Sequence, residues 1–182
     1  MILSGVVLAV LLGWLRGGKV ARLADLKLRG LVWVAAAAVV RLGLDILARR
    51  GYSLPWLMIV AYCFVLYVLF LNIRLPGIKL FAAGTLLNFL VIAANGGAMP
   101  VSATAIKEAG LSSTPAGTHI LLAETARLPF LADIIPLRPP YFPLPQVISI
   151  GDILVILGIF LFIQYKMLQD KEPAAAAAGE EE

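Results

Sequence analysis

The chain has 182 residues, 61% hydrophobic and 14% charged, with a net charge of +4 and a mean hydropathy of +0.94. A soluble domain carries about 25% charged and about 45–50% apolar residues, so a surface wholly exposed to water is excluded. The basic residues are few and scattered, which excludes a nucleic-acid footprint, and the single cysteine, Cys63, permits neither an internal disulfide nor a cysteine metal cluster.

In chain order, apolar stretches fall at 1–15, 31–48, 54–72, 78–94 and 147–165. Each approaches the roughly 20 residues that cross a hydrocarbon core, and lipid tolerates no open sheet edge. The expected fold is therefore an all-α integral membrane protein: a single polytopic domain over 1–170 with about five transmembrane helices, plus short interfacial helices in a loop over 95–146. The first stretch is counted as a span because no basic residue precedes it. Arg16-Gly17-Gly18-Lys19 also stands where a signal peptide would carry its cleavage site.

Basic residues in short loops are retained on the cytoplasmic side. The loop after the first stretch holds Arg16, Lys19, Arg22, Lys27 and Arg29. Placing it inside puts the N-terminus and the 95–146 loop outside and the C-terminus in the cytoplasm, in a multi-pass cell-membrane protein. Arg49 and Arg50 then lie outside, against the trend. Between the basic residues, Val20, Leu23, Leu26 and Leu28 are consistent with either a short helix in the headgroup layer or a solvated basic loop. The tail, 171–182, is alanine-rich and acidic and is expected to be disordered.

Ionisable groups inside a span are costly and call for partners. Arg41 and Asp45, four residues apart, are expected to form a structural ion pair, and Asn88 an interhelical hydrogen bond. The outer loop opens with Asn95-Gly96-Gly97-Ala98-Met99-Pro100, a helix end followed by a turn. Two amphipathic stretches follow, 102–109 and 118–128, the second predicted as a short helix stopped by Pro129. His119 reads more readily as a hydrogen-bonding residue than as a metal ligand, since no second nitrogen or sulfur ligand accompanies it. Ser102, Ser112, Ser113 and Ser149 lack the elbow of a nucleophilic serine. No metal and no cofactor is expected.

Beyond Pro129 come Asp133 and, opening the last apolar stretch, Asp152. Between them Pro136, Pro139, Pro140, Pro143 and Pro145 form a stiff connector. A rigid segment ending in two acids at similar depth would hold both carboxyls in one place, where they share a proton and supply a base and an acid. The plainer alternative makes Asp152 an N-cap with Ser149 and pairs Asp133 with Arg127 or Arg138.

The Arg16-to-Asp25 loop, Asn95-Gly-Gly-Ala-Met-Pro, Leu131-Ala-Asp-Ile-Ile-Pro and Ser149-Ile-Gly-Asp-Ile-Leu resemble an uncharacterised bacterial membrane family, domain of unknown function 5317. That resemblance implies no activity. More distantly, Asn95-Gly96-Gly97-Ala98, Ala132-Asp133-Ile134-Ile135 and Ser149-Ile150-Gly151-Asp152 resemble motifs of lipoprotein signal peptidases, which are intramembrane aspartyl proteases. The resemblance implies a catalytic pair of Asp133 and Asp152, with Asn95, Gly96, Gly97 and Arg127 on the substrate side. The chain departs from that family in lacking its Gly-Asn-x-x-Asp-Arg block.

Three functions are thus in play. One is a membrane hydrolase acting on a membrane-anchored peptide. Another is a non-enzymatic membrane subunit whose outer loop docks a protein partner. The third is a small transporter using Arg41, Asp45 and Asp152, for which the chain lacks the internal repeat that carriers usually show.

Overall fold

The computed structural model describes residues 2–52, 54–112, 117–140, 142 and 144–169. Ser113, Pro143 and the 171–182 tail lie outside these residues. The chain is mostly helical: α1 (Ile2–Leu15), α2 (Leu31–Arg49), α3 (Trp56–Leu71), α4 (Ile78–Ala94), a short α5 (Ala103–Glu108) and α6 (Ile150–Leu168). Four three-residue strands lie between α4 and α6: β1 (Met99–Val101), β2 (His119–Leu121), β3 (Ile135–Leu137) and β4 (Gln146–Ile148).

Two of the five expected spans, α2 and α6 at 19 residues each, are long and apolar enough to cross a membrane; α1, α3 and α4 are shorter apolar helices of 14, 16 and 17 residues. The last helix also starts later than its apolar run. Val147 and Ile148 belong to β4, and α6 begins after Ser149, whose hydroxyl accepts the Asp152 N–H while the Asp152 carboxylate accepts the Ser149 N–H. This reciprocal cap satisfies two amides that an uncapped helix start leaves unpaired.

The helices pack in series, α1 on α6, α6 on α4, α4 on α3 and α3 on α2. They form an arc with α1 and α2 at its free ends. Its closest crossing is α4 against α6, and glycine makes it so. A Cβ at Gly84 would meet the Gly151 carbonyl and stand 2.7 Å from the Val155 nitrogen; one at Gly158 would stand 2.8 Å from the Gly77 oxygen. Small residues at seven-residue spacing on both helices let the backbones touch, the usual means of packing apolar helices where burial from water gives no drive.

Both ends of the arc are tied by asparagines at helix C-termini. Asn72 donates to Val68 O and Arg29 O and accepts the Arg29 N–H, so its amide grips the basic loop. That loop contains one four-residue 3-10 turn, Val20–Leu23, which meets the end of α6 where Lys19 N–H and Arg22 Nη1 donate to Met167 O. The basic loop and the strand region therefore occupy opposite ends of the arc.

The strands correct the expectation of a purely helical outer loop. β2 runs parallel to β1, Met99 opposite His119, and β3 pairs antiparallel with β4, Ile135 opposite Ile148. The predicted helix over 118–128 does not form: its first residues are β2, and Leu128 turns the chain at φ +53° into a 3-10 turn that Pro129 starts rather than stops. The segment instead pairs with β1, Met99 N–H donating to Thr118 O and Leu122 N–H to Val101 O, so strand pairing overrides its helical spacing. The other amphipathic stretch is α5, with Ser102 capping through Ala105 N–H.

Candidate functional site

The β3–β4 hairpin returns the chain from the first acid to the second. Ile134 N–H donates to Ile148 O at 3.2 Å, which sets the residue after Asp133 against the residue before Ser149. Asp133 is also held from behind. Its N–H donates to Pro100 O and its carbonyl accepts the Ser102 N–H, so it extends the small sheet beside β1. The proline-stiffened connector thus anchors Asp133 through backbone bonds at the N-terminal end of α6.

The two acids have different surroundings. Asp152 accepts from Asn88 Nδ2 at 2.9 Å and from Ser149 N–H at 3.0 Å, and Ser149 Oγ donates to Asn88 Oδ1 at 2.9 Å. Asn88 therefore makes the interhelical bonds expected of it. Asp133 is buried, and its Oδ1 has no hydrogen-bond partner among the described residues. Burial, reinforced by the charge of Asp152, pushes its carboxyl up to about 8. Neither expected arginine joins it: Arg127 serves the loop through its backbone, and Arg138 Nη1 donates to Glu108 O.

The nearest charged contact of Asp133 is His119, Nε2 to Oδ2 at 3.8 Å. Burial and the neighbouring Arg41 lower the histidine below its usual range, so at neutral pH a neutral ring faces a protonated acid. Because neither group is charged there, the contact is not an ion pair at neutral pH, and its length exceeds that of a hydrogen bond. His119 Nδ1 lies 3.3 Å from Thr118 Oγ1, which accepts from Arg41 Nη1 at 3.0 Å. Arg41 in turn meets Asp45 at 3.5 Å, as its spacing predicts. A polar chain thus runs from Asp45 on α2 through Arg41, Thr118 and His119 to Asp133.

Asp152 and Arg41 also line a cavity of about 410 Å³ enclosed by the arc, with Tyr62, Asn88 and Thr85 among otherwise apolar residues. That volume lies in the range of ordinary ligand sites, roughly 300–1,000 Å³. Asp133 and His119 are not among its lining residues. Among the described residues no group of three or more His, Cys, Asp or Glu side chains is placed to hold a metal ion.

The residues assigned to the substrate side have structural occupations. Asn95 donates to Val91 O at 2.7 Å and Arg127 O at 2.9 Å and accepts the Arg127 N–H at 3.0 Å, repeating the Asn72 device at the other end of the arc. Gly97, at φ +94°, presses its backbone on Pro55 and Trp56, where any Cβ would collide; Gly96 completes the turn. Replacing Asn95 with Ala should cost about 0.5–1.5 kcal/mol of stability, since it removes the exposed hydrogen bonds that tie the Arg127 amide and carbonyl to the end of α4, and thermal unfolding in detergent measures it. A midpoint equal to that of the unaltered protein would refute this role. The pairing of Ser149 with Asn88 across helices escaped the sequence, although Gly151, whose Cβ would strike the Asn88 side chain, marks the spot.

Comparison with known proteins places these features in a family. A protein of Thermotoga maritima, described as uncharacterized, is 37% identical over 124 residues, 66% of this chain and 72% of its own length. No solved structure matches the chain. These matches carry no activity and do not show the resemblance to lipoprotein signal peptidases. Residues 25–164, which include Asn88, Asn95, Asp133 and Asp152, match the profile of a family of unknown function, DUF5317, and the chain belongs to that family.

Proposed function

We propose that the protein is a polytopic membrane hydrolase of the aspartyl-peptidase kind, whose Asp133 and Asp152 cut a membrane-anchored peptide from the outer leaflet. In this reading the three shorter apolar helices span together with α2 and α6, the basic loop over 16–29 lies in the cytoplasm, and the strand region lies outside. The separation of the basic loop and the strands to opposite ends of the arc supports that orientation. The observation that carries the proposal is the buried Asp133 Oδ1, without a hydrogen-bond partner among the described residues, held by a hairpin that leads directly to Asp152.

The chemistry follows from the inequality of the two acids. A carboxyl that keeps its proton near neutrality is an acid, and a carboxylate already accepting from Asn88 and Ser149 is a base. A water attacks the scissile carbonyl carbon and gives its proton to Asp152, while the Asp133 proton passes to the carbonyl oxygen. As the gem-diol collapses and its C–N bond breaks, Asp152 gives its proton to the leaving nitrogen and one gem-diol hydroxyl gives its proton to Asp133, restoring both acids.

The test compares membrane-protein fragments, by mass spectrometry of peptide termini, in cells carrying the unaltered protein, Asp133→Asn or Asp152→Asn. The expected result is loss of the same set of cleavages in both variants at unchanged abundance of the protein. A second function, a non-enzymatic subunit whose outer region docks a partner, is favoured by Ile120, Leu121, Phe130 and Leu144, all exposed there. It gains if Asp152→Asn lowers abundance through the lost cap and no cleavage depends on Asp133.

A further inference from the structure

We propose that the cavity inside the helical arc is an acyl-chain site, filled by one hydrocarbon chain of a bilayer lipid that enters sideways between α1 and α2. The inference rests on the membrane-spanning reading but not on the hydrolase.

The first ground is the order of packing. α1 touches chiefly α6 and α2 chiefly α3, so the arc is not closed by a substantial α1–α2 contact. The cavity nevertheless draws its wall from both free ends, Ile2 of α1 and Val34, Ala37 and Arg41 of α2. A space bounded by an unclosed arc opens through the gap between its ends, and in a bilayer that gap faces lipid.

The second ground is what the wall asks of an occupant. Its polar groups are turned toward the protein. Thr85 donates to Phe81 O, the Asn88 amide joins Asp152 and Ser149, and Arg41 is engaged by Thr118 and Asp45. A peptide segment would bring amides that must be paired away from water, whereas a hydrocarbon chain asks for no hydrogen bond. Tyr62 shares a side-chain hydrogen bond with Asn88, and both Asp152 oxygens are engaged by Asn88 and Ser149; the rest of the wall, including Ala37, Ala61, Val65 and Val155, supplies apolar contact.

The test uses the full chain reconstituted in phosphatidylethanolamine–phosphatidylglycerol vesicles doped with a phospholipid carrying a diazirine at the end of one acyl chain. After illumination, label is expected on the inner wall, at Ala37, Met58 or Val65, as well as on the outward-facing Val39 and Phe70. Ala61→Trp, or Ala61→Met if the larger ring prevents folding, should remove most of the inner label, because the added side chain takes the space the acyl chain would fill. Label on Val39 and Phe70 should stay unchanged. Asp133→Asn should retain the inner label, so loss of hydrolysis and loss of the lipid site are separable. Label confined to Val39 and Phe70 overturns the proposal, and so does inner label that survives filling of the cavity. An apolar transmembrane peptide with the same photogroup that marks the inner wall where the lipid does not also overturns it. Absence of label everywhere removes the membrane reading with it.

Discussion

Replacing Asp133 with Asn is expected to remove a pH dependence of stability that the unaltered protein shows between pH 7 and pH 9. In the unfolded chain this aspartate ionises near 3.8, whereas burial first and Asp152 second push it to about 8 in the fold. Between those values the folded protein keeps a proton that the unfolded chain releases, so stability falls as pH rises. The contribution is complete below about pH 4 and is lost through about pH 8. From pH 7 to 9 the decline amounts to about 1.4 kcal/mol, and across the whole window to something on the order of 5 kcal/mol. His119, lowered by burial and Arg41, acts in the opposite direction but only below its ordinary value of 6.5, so the upper window isolates Asp133. Asp133→Asn should accordingly be more stable than the unaltered protein at pH 9, where the buried carboxylate has lost its proton. Thermal midpoints in detergent at pH 7, 8 and 9 decide the matter: parallel curves for the two proteins would show that Asp133 is not held protonated.

Gly84→Ala is expected to disrupt the fold, although alanine is the better helix former. The added methyl would sit against the Gly151 carbonyl, 2.7 Å from the Val155 nitrogen and 2.9 Å from the Leu154 Cβ. Two of these three are backbone atoms that cannot swing away, so α4 and α6 must part. Overpacking of this kind costs about 1–3 kcal/mol or more, and parting these helices also breaks the Asn88 bonds to Asp152 and Ser149. Gly43 on α2 is the control, since nothing lies within 4 Å of a Cβ built there. Gly43→Ala should gain roughly 1 kcal/mol from helix propensity. The comparison is read from the folded fraction after detergent extraction, and equal yields for the two variants would overturn the close-packing account.

The apolar runs were enough to predict a mostly helical chain and to place its five long helices within a few residues, because a run of apolar residues is a local property of the sequence. The ion pair of Arg41 with Asp45 was legible from its four-residue spacing. Helix lengths were less so, since Ser149 and Asn72 end or begin helices inside apolar stretches. The strands were not legible at all. A three-residue strand has no period of its own, and His119 becomes extended only because Met99, twenty residues earlier, offers an unpaired edge. The same holds for Asn95, whose amide is spent on Arg127, thirty-two residues away. Sequence determined which side chains could carry chemistry. Tertiary structure alone decided their state, by burying Asp133 with its Oδ1 unbonded among the described residues, dividing the Asp152 oxygens between Asn88 and Ser149, and leaving the arc open around a cavity, because burial, pairing and enclosure are properties of segments brought together from far apart in the chain.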